Sequence, residues 1–225
     1  MSNQTNSKAM IYSLPLMSVI LGAWKRALIA GAVINLVFVS CAWSAEPGKP
    51  VEACAGCHGL SGANTESDIP NIGGYSKKYL LGALDAFKSD KRPCPETDYR
   101  TGEKKGSKGN MCQIAKELDS KDADQIAEYF AAQKFVVTKQ QFDSALADKG
   151  KNIFAKSCNK CHSIEGVIAN DDAGILPGQK IGYVSRQIEQ FREGKRPIFE
   201  KMKARFEKLD KTDLDAVIQY LASFN

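Results

Sequence analysis

Apolar residues recur at helical spacing in four stretches of this chain. Residues 79–87, 122–132 and 213–224 each place apolar side chains at positions i, i+4 and i+8, and residues 183–191 place them at Tyr183, Val184, Ile188 and Phe191. No stretch sustains the alternation of apolar and polar residues that is typical of a strand, and the glycine-rich residues 59–74 are typical of a loop. The pattern therefore predicts an all-α fold.

Polar residues mark the beginnings of two of these helices. Thr212, with Asp215 three positions later, is predicted to cap the last helix, and Ser120 or Asp119 is predicted to begin its counterpart. Residues 134–143 are predicted to link two helical domains.

The helical stretches belong to two copies of one unit. Seven residues of the first copy have counterparts 104 positions later: Cys54 and Cys158, Gly62 and Gly166, Gly74 and Gly178, Tyr79 and Tyr183, Phe87 and Phe191, Arg92 and Arg196, Pro93 and Pro197. Beyond these prolines the offset is 91, which pairs Met111 with Met202, so the first copy has gained 13 residues. We predict domains at residues 46–136 and 137–225.

Each copy begins with the same motif, Cys54-Ala-Gly-Cys57-His58 and Cys158-Asn-Lys-Cys161-His162. Two thiols three positions apart, followed by an imidazole, form the attachment site of a c-type haem: the thiols bond the porphyrin's vinyl groups and the histidine binds iron. Half of a zinc site and a thioredoxin-like redox pair are the alternatives. Because each pair has its own histidine and heads its own repeat, the motifs favour two covalently bound haem c groups.

The histidine count limits the second axial ligand of each iron. His58 and His162 are the only histidines, so coordination by two histidines would need another subunit. Met111 and Met202 are the only methionines after residue 45, and we predict them as the ligands. The alternatives are methionines that fill core gaps and, at the first haem, a Cys112 thiolate. Coordination by His and Met leaves no open position for a substrate, which favours an electron carrier without catalytic residues.

Further contacts to haem are predicted less directly. Each iron-bound histidine needs an acceptor for its other ring N–H, and the Pro70 carbonyl, with Gly174 at the matching position, could supply it. Two pairs of repeated residues could bind haem propionates: Tyr79 with Tyr183, and Arg92 with Arg196. The alternatives are aromatic packing for the tyrosines and a solvated charge for the arginines.

Two cysteines outside the motifs, Cys94 and Cys112, bracket the 13-residue gain. In an exported protein such a pair favours a disulfide at the base of the insertion, and two free thiols are the alternative.

Residues 1–45 are predicted to be a signal peptide that directs the chain to the periplasm. The apolar residues 27–39 follow Lys25 and Arg26, precede small residues, and are too few to span a bilayer. A lipid anchor at Cys41 is a weaker alternative. The remaining chain has 28 basic and 26 acidic residues, a net charge of +2, so nucleic-acid binding is not expected. The sequence has no sustained basic amphipathic face that would predict binding to a membrane surface. Contact with a membrane is therefore expected only through an oxidase partner.

The whole chain after the signal peptide resembles the dihaem class I cytochromes c, the group that contains cytochrome c4. Its second half, at residues 139–148, 158–162, 174–179 and 196–202, is similar to the cytochrome subunit of flavocytochrome c sulfide dehydrogenase. The resemblance implies two domains related by a pseudo-twofold axis, with a haem in each and the two haems close across the interface.

The same resemblance implies that one haem takes electrons from a flavoprotein dehydrogenase that oxidises a sulfur compound, and that a downstream cytochrome, oxidase or other redox protein accepts them. A freely diffusing carrier to a terminal oxidase is the main alternative, and a dihaem enzyme such as thiosulfate dehydrogenase is a weaker one.

Overall fold

The computed structural model describes residues 48–162 and 173–224. The predicted signal peptide and Cys41 lie outside these residues. Within the described ranges, no helix is long and apolar enough to cross a membrane.

Both repeats contain the same succession of helices, which confirms the predicted all-α class and the tandem organisation. The first repeat contains α1 (Lys49–His58), α2 (Lys77–Lys88), α3 (Met111–Glu117) and α4 (Ser120–Ala131). The second contains α5 (Ser144–Ser157), α6 (Ile181–Arg192), α7 (Glu200–Phe206) and α8 (Lys211–Ala222).

The four predicted helices are α2, α4, α6 and α8. Of the two residues predicted to begin α4, Asp119 is the cap: its carboxylate accepts a hydrogen bond from the Asp122 N–H at 2.8 Å. The predicted cap of α8 is wrong: Asp210, not Thr212, accepts from the Asp213 N–H, at 2.8 Å. A carboxylate is the stronger acceptor, and the Thr212 hydroxyl donates to it at 2.8 Å.

Each repeat has its own apolar core. Phe130 and Ile126 of α4 centre the first, and Phe154 of α5 with Leu221 of α8 centre the second. Helices α5 and α8 cross so closely at Gly150 that an added Cβ would lie 2.0 Å from the Ala216 carbonyl oxygen. Gly150, which has no side chain, therefore allows the short distance between α5 and α8.

The insertion of the first repeat folds as a small β-hairpin, which the all-helical expectation for each domain did not include. Strands β1 (Thr97–Asp98) and β2 (Lys108–Gly109) pair antiparallel, with Thr97 opposite Gly109. Two-residue strands are too short to show an alternating pattern in sequence. At the base of the hairpin Cys94 and Cys112 form a disulfide, with their Cα atoms 5.7 Å apart.

The two repeats meet through reciprocal buried hydrogen bonds. The Tyr75 hydroxyl donates to the Ile175 carbonyl at 2.8 Å. Gln179, the counterpart of Tyr75, donates through Nε2 to the carbonyl of Asn71, the counterpart of Ile175, also at 2.8 Å. Equivalent positions thus exchange equivalent bonds, as a pseudo-twofold axis requires.

Candidate haem-binding sites

The first motif lies in the last turn of α1, where the helix ends at His58. Gly59 follows with a φ of 76°, and the loop returns so that the Pro70 carbonyl lies 3.1 Å from His58 Nδ1. This contact confirms the predicted acceptor. Because the carbonyl can only accept, Nδ1 carries the proton and Nε2 keeps the lone pair that a metal needs. Burial lowers the pKa of His58 to about 4, which keeps the imidazole neutral.

A single cavity joins the predicted residues of the first site. His58, Cys54, Cys57 and Met111 all line it, and its volume is about 1370 Å³ including the solvent at its mouth. The rest of its wall is largely apolar and includes Leu80, Leu84, Phe87, Ile114, Ile126 and Phe130. A neutral imidazole, two thiols and a thioether around an apolar cavity fit a covalently attached haem.

The second motif repeats the histidine geometry. Cys158 caps α5, and the chain turns so that the His162 N–H donates to the Cys158 carbonyl at 3.0 Å. The His162 Nδ1 lies 2.9 Å from the Gly174 carbonyl, which confirms the acceptor predicted from the repeat. Burial lowers the pKa of His162 also. Met202 is half-buried in α7, the counterpart of the helix that carries Met111.

The structure argues against the other interpretations of the motifs. Reactive thiols of redox pairs have lowered pKa values, whereas burial raises the pKa of Cys54 to about 12 and that of Cys158 to about 11. In residues 48–162 and 173–224 no three His, Cys, Asp or Glu side chains gather as a metal site would require. The disulfide removes Cys112 as a thiolate ligand of the first iron.

Two arginines lie in the interface between the repeats with neutral partners. Arg92 is 6% exposed and donates to the Tyr183 hydroxyl at 2.7 Å, and Arg196 donates to Gln187 at 2.6 Å. Burial raises the pKa of Tyr183, but the positive charges of Arg92 and Arg196 have the larger combined effect and hold that pKa below its usual value. The buried guanidinium of Arg92 and the half-buried one of Arg196, both beside neutral acceptors, favour an anionic ligand, and haem propionates have that charge.

Sequence reasoning missed Lys180, which comes from the second repeat and ends beside the loop that holds His58. Its side chain is buried, and Nζ donates to the Ile69 carbonyl at 2.9 Å and to the Asn64 side chain. Its counterpart Ser76 caps α2, so the repeat gave no signal for an interface lysine.

Replacing Lys180 with methionine is expected to change how stability depends on pH. Burial lowers the pKa of Lys180 to about 8 from 10.5, with Glu66 and Asp68 offsetting part of the effect. Between these values the unfolded chain binds more protons, so the free energy of unfolding rises with pH, by about 2 kcal/mol from pH 7 to pH 10. K180M lacks this contribution. Urea denaturation of K180M and of the unaltered protein at pH 7 and pH 10 measures the difference. If the free energy of unfolding depended on pH identically in the two proteins, the buried charge would be contradicted.

Comparison with known proteins agrees with this geometry. The family model "Cytochrome c" matches residues 45–134, and the model "Cytochrome C oxidase, cbb3-type, subunit III" matches residues 145–221. Cytochrome c4 of Stutzerimonas stutzeri is 34% identical over 167 residues, which are 69% of this chain and 75% of that protein. The chain belongs to the cytochrome c4 family. It is accordingly a cytochrome c4-like electron carrier, and its cytochrome c domains imply covalently bound haem c.

Two further comparisons extend the family assignment. The crystal structure of reduced cytochrome c4 from Pseudomonas stutzeri superposes with a TM-score of 0.62 at 29% identity, covering 78% of this chain and 95% of that one. A "Thiosulfate dehydrogenase electron acceptor" of Thiomonas intermedia is 23% identical over 185 residues, 76% of this chain and 77% of that protein. The cytochrome c4 architecture thus extends over both repeats.

Proposed function

We propose that this member of the cytochrome c4 family is a periplasmic dihaem carrier of single electrons. The proposal depends chiefly on the duplicated site, in which His58 is buried, His162 is half-buried, and each histidine is bonded to a backbone carbonyl. The first haem would be held by Cys54, Cys57, His58 and Met111, and the second by Cys158, Cys161, His162 and Met202. The apolar segment at residues 27–39 supports export.

Each haem, once attached, supplies a one-electron couple. The chain's own groups adjust that couple. The carbonyls of Pro70 and Gly174 fix the histidine tautomers, which makes each imidazole a better ligand. The thioethers of Met111 and Met202 favour the ferrous state because sulfur is a soft ligand. Arg92 and Arg196 would neutralise propionate charge at the interface, where an unpaired carboxylate would be costly.

This arrangement supports a carrier rather than an enzyme. His58 with Met111, and His162 with Met202, would hold the two irons and leave no position open for a substrate, whereas catalysis at haem requires an open or labile position. The Cys112 sulfur, the alternative ligand of the first iron, is bonded to Cys94 and is not available as a thiolate.

For the electron donor we propose a flavoprotein that oxidises a sulfur compound, and for the acceptor a downstream cytochrome or oxidase. The sequence resemblance of the second repeat to a sulfide dehydrogenase cytochrome subunit is the ground for a flavoprotein. The relative named thiosulfate dehydrogenase electron acceptor supports a donor that oxidises a sulfur compound. The identity to cytochrome c4 favours the second candidate, a freely diffusing carrier that delivers electrons to a terminal oxidase.

Gentle purification from a periplasmic extract, with size determination and an optical spectrum, tests these proposals. A larger complex that contains flavin supports the stable subunit. A flavin-free particle of monomer or dimer size with two haems supports the diffusing carrier. Absence of the protein from the periplasmic fraction, or a haem content other than two, would contradict the proposed function.

A further inference from the structure

The carbonyl that accepts from the first motif histidine also accepts a second hydrogen bond. The Pro70 oxygen lies 3.1 Å from His58 Nδ1, and it accepts from Asn64 Nδ2 at 3.4 Å. A carbonyl oxygen has two lone pairs, so both bonds form at once. The amide donor draws electron density from the oxygen, and the oxygen is therefore a weaker acceptor for the His58 N–H.

The second repeat contacts this loop of the first repeat where α6 begins. Lys180 is 1% exposed, and its Nζ donates to the Asn64 side-chain oxygen and, at 2.9 Å, to the Ile69 carbonyl. Gly182 lies so close to the loop that an added Cβ would be 2.8 Å from the Ser67 carbonyl oxygen. The lysine is therefore held in place by the packing of the two repeats.

These contacts form one chain of hydrogen bonds between the repeats. Lys180 donates to the Asn64 oxygen, the Asn64 amide group donates to the Pro70 carbonyl, and His58 donates to that same carbonyl. A cation on the amide oxygen polarises the amide and makes its N–H a stronger donor. A charge in the second repeat thus acts on the histidine of the first.

The charge of Lys180 is held by neutral oxygens. In residues 48–162 and 173–224 no carboxylate forms an ion pair with Lys180 Nζ. The carboxylates of Glu66 and Asp68 lie instead 3.7 Å and 3.8 Å from Arg100. A buried charge that no anion pairs with is screened little by its surroundings, so it acts over a longer distance than an exposed one.

The sequence provides neither end of this chain at the second site. The position 104 residues after Asn64 is Ile168, whose side chain can neither donate nor accept a hydrogen bond. Ser76, the counterpart of Lys180, is used locally: its hydroxyl oxygen accepts from the Tyr79 N–H at 3.0 Å and caps α2. The two histidines therefore differ in what acts on their carbonyl acceptors.

We propose that Lys180 is a positioning residue of the first site, through which the second repeat raises the reduction potential of the haem bound at His58. The inference rests on the proposed function, because it requires an attached haem with His58 as a ligand. Two effects act in the same direction. A nearby positive charge favours ferrous iron, which has one positive charge fewer than ferric iron. A weaker bond from the His58 N–H to Pro70 makes the imidazole a weaker donor to ferric iron.

The variant K180M tests the proposal through the potential of each haem. The holoprotein is titrated with redox mediators at pH 6, below the pKa of Lys180, and the NMR signals of the haem methyl groups distinguish the two haems. The equilibrium constant for reduction of the first haem is expected to fall about ten-fold, and that of the second to change less than about two-fold. An unchanged constant at the first haem, or equal changes at both, would overturn the proposal.

Lys116 provides the matched control. It is an exposed lysine of α3, the helix that carries Met111, and it pairs with Asp90 at 2.6 Å. K116M makes the same change of residue type, but solvent and the partner carboxylate already screen this charge. The constant for the first haem is expected to change less than about two-fold. A loss as large as in K180M would show that any nearby lysine has the effect, which would overturn the role of Lys180.

The variant N64L tests the hydrogen-bond chain separately from the charge. It keeps Lys180 but removes the amide donor to Pro70. In the fully reduced, diamagnetic holoprotein, the Nδ1–H signal of His58 is expected to move downfield in both N64L and K180M, because its bond to Pro70 strengthens. The corresponding signal of His162 is expected to stay in place. A His58 signal that stays in place in both variants would overturn the chain.

This proposal and the proposed function fail in different ways. Haem content, measured on every variant by the pyridine haemochrome spectrum, tests the proposed function. An unaltered protein without two haems would contradict that function. A protein with two haems in which K180M leaves the first potential unchanged would overturn the role of Lys180 alone.

Discussion

Replacing Gly150 with alanine is expected to lower the free energy of unfolding by about 2 to 3 kcal/mol. An added Cβ would lie 2.0 Å from the Ala216 carbonyl oxygen and 2.9 Å from the Tyr220 Cβ, both in α8. The contacting atoms are backbone and Cβ atoms, which cannot rotate away, so α5 and α8 must separate and loosen the second core. The gain of about 1 kcal/mol in helix propensity offsets only part of this cost. Urea denaturation followed by circular dichroism measures the change.

Gly82 in α2 is the matched control. It is also a helical glycine, but an added Cβ there would meet no atom within 4 Å. G82A is therefore expected to raise stability by about 0.5 to 1 kcal/mol. If G150A were as stable as G82A, the close crossing of α5 and α8 would be contradicted.

Removing the disulfide with C94A/C112A is expected to lower the free energy of unfolding by about 3 kcal/mol. The bond closes a loop with a sequence separation of 18, and its loss releases the entropy of that loop in the unfolded chain. The loss of stability is expected in the first repeat. Cys112 follows Met111 at the start of α3, and the disulfide holds the base of the hairpin beside this helix. Urea denaturation followed by circular dichroism measures this loss as well.

Dithiothreitol provides the control for this prediction. The reductant cleaves the disulfide but leaves the thioether bonds of haem attachment intact. The unaltered protein should lose the same stability in dithiothreitol, and C94A/C112A should be insensitive to it. A variant as stable as the unaltered protein would show that the bond does not hold the insertion.

The repeat explains most of what could be predicted from sequence. Equal spacing paired Pro70 with Gly174, and both carbonyls accept from the motif histidines. A carbonyl is available at any residue, so this contact survives the change from proline to glycine. The helices at Lys77–Lys88 and Lys211–Ala222 were visible because each is long enough to show several periods of apolar residues.

Features that depend on contacts between the repeats were not visible. Gln179 and Lys180 are polar residues that become buried only when the second repeat packs on the first, and the sequence around them shows no periodicity. The helices that carry the methionines have seven residues each, too few for a period. The hairpin has two-residue strands, and its position on Gly56 follows from a tertiary contact.

We propose that each repeat holds its own haem between a histidine and a methionine. The far-red absorption band of ferric haem with a methionine ligand, recorded for M111A, M202A and the double variant at equal haem content, tests it most directly. Each single variant is expected to lose about half of the band, and the double variant all of it. Persistence of the full band in M111A, with its complete loss in M202A, would contradict methionine ligation of the first haem.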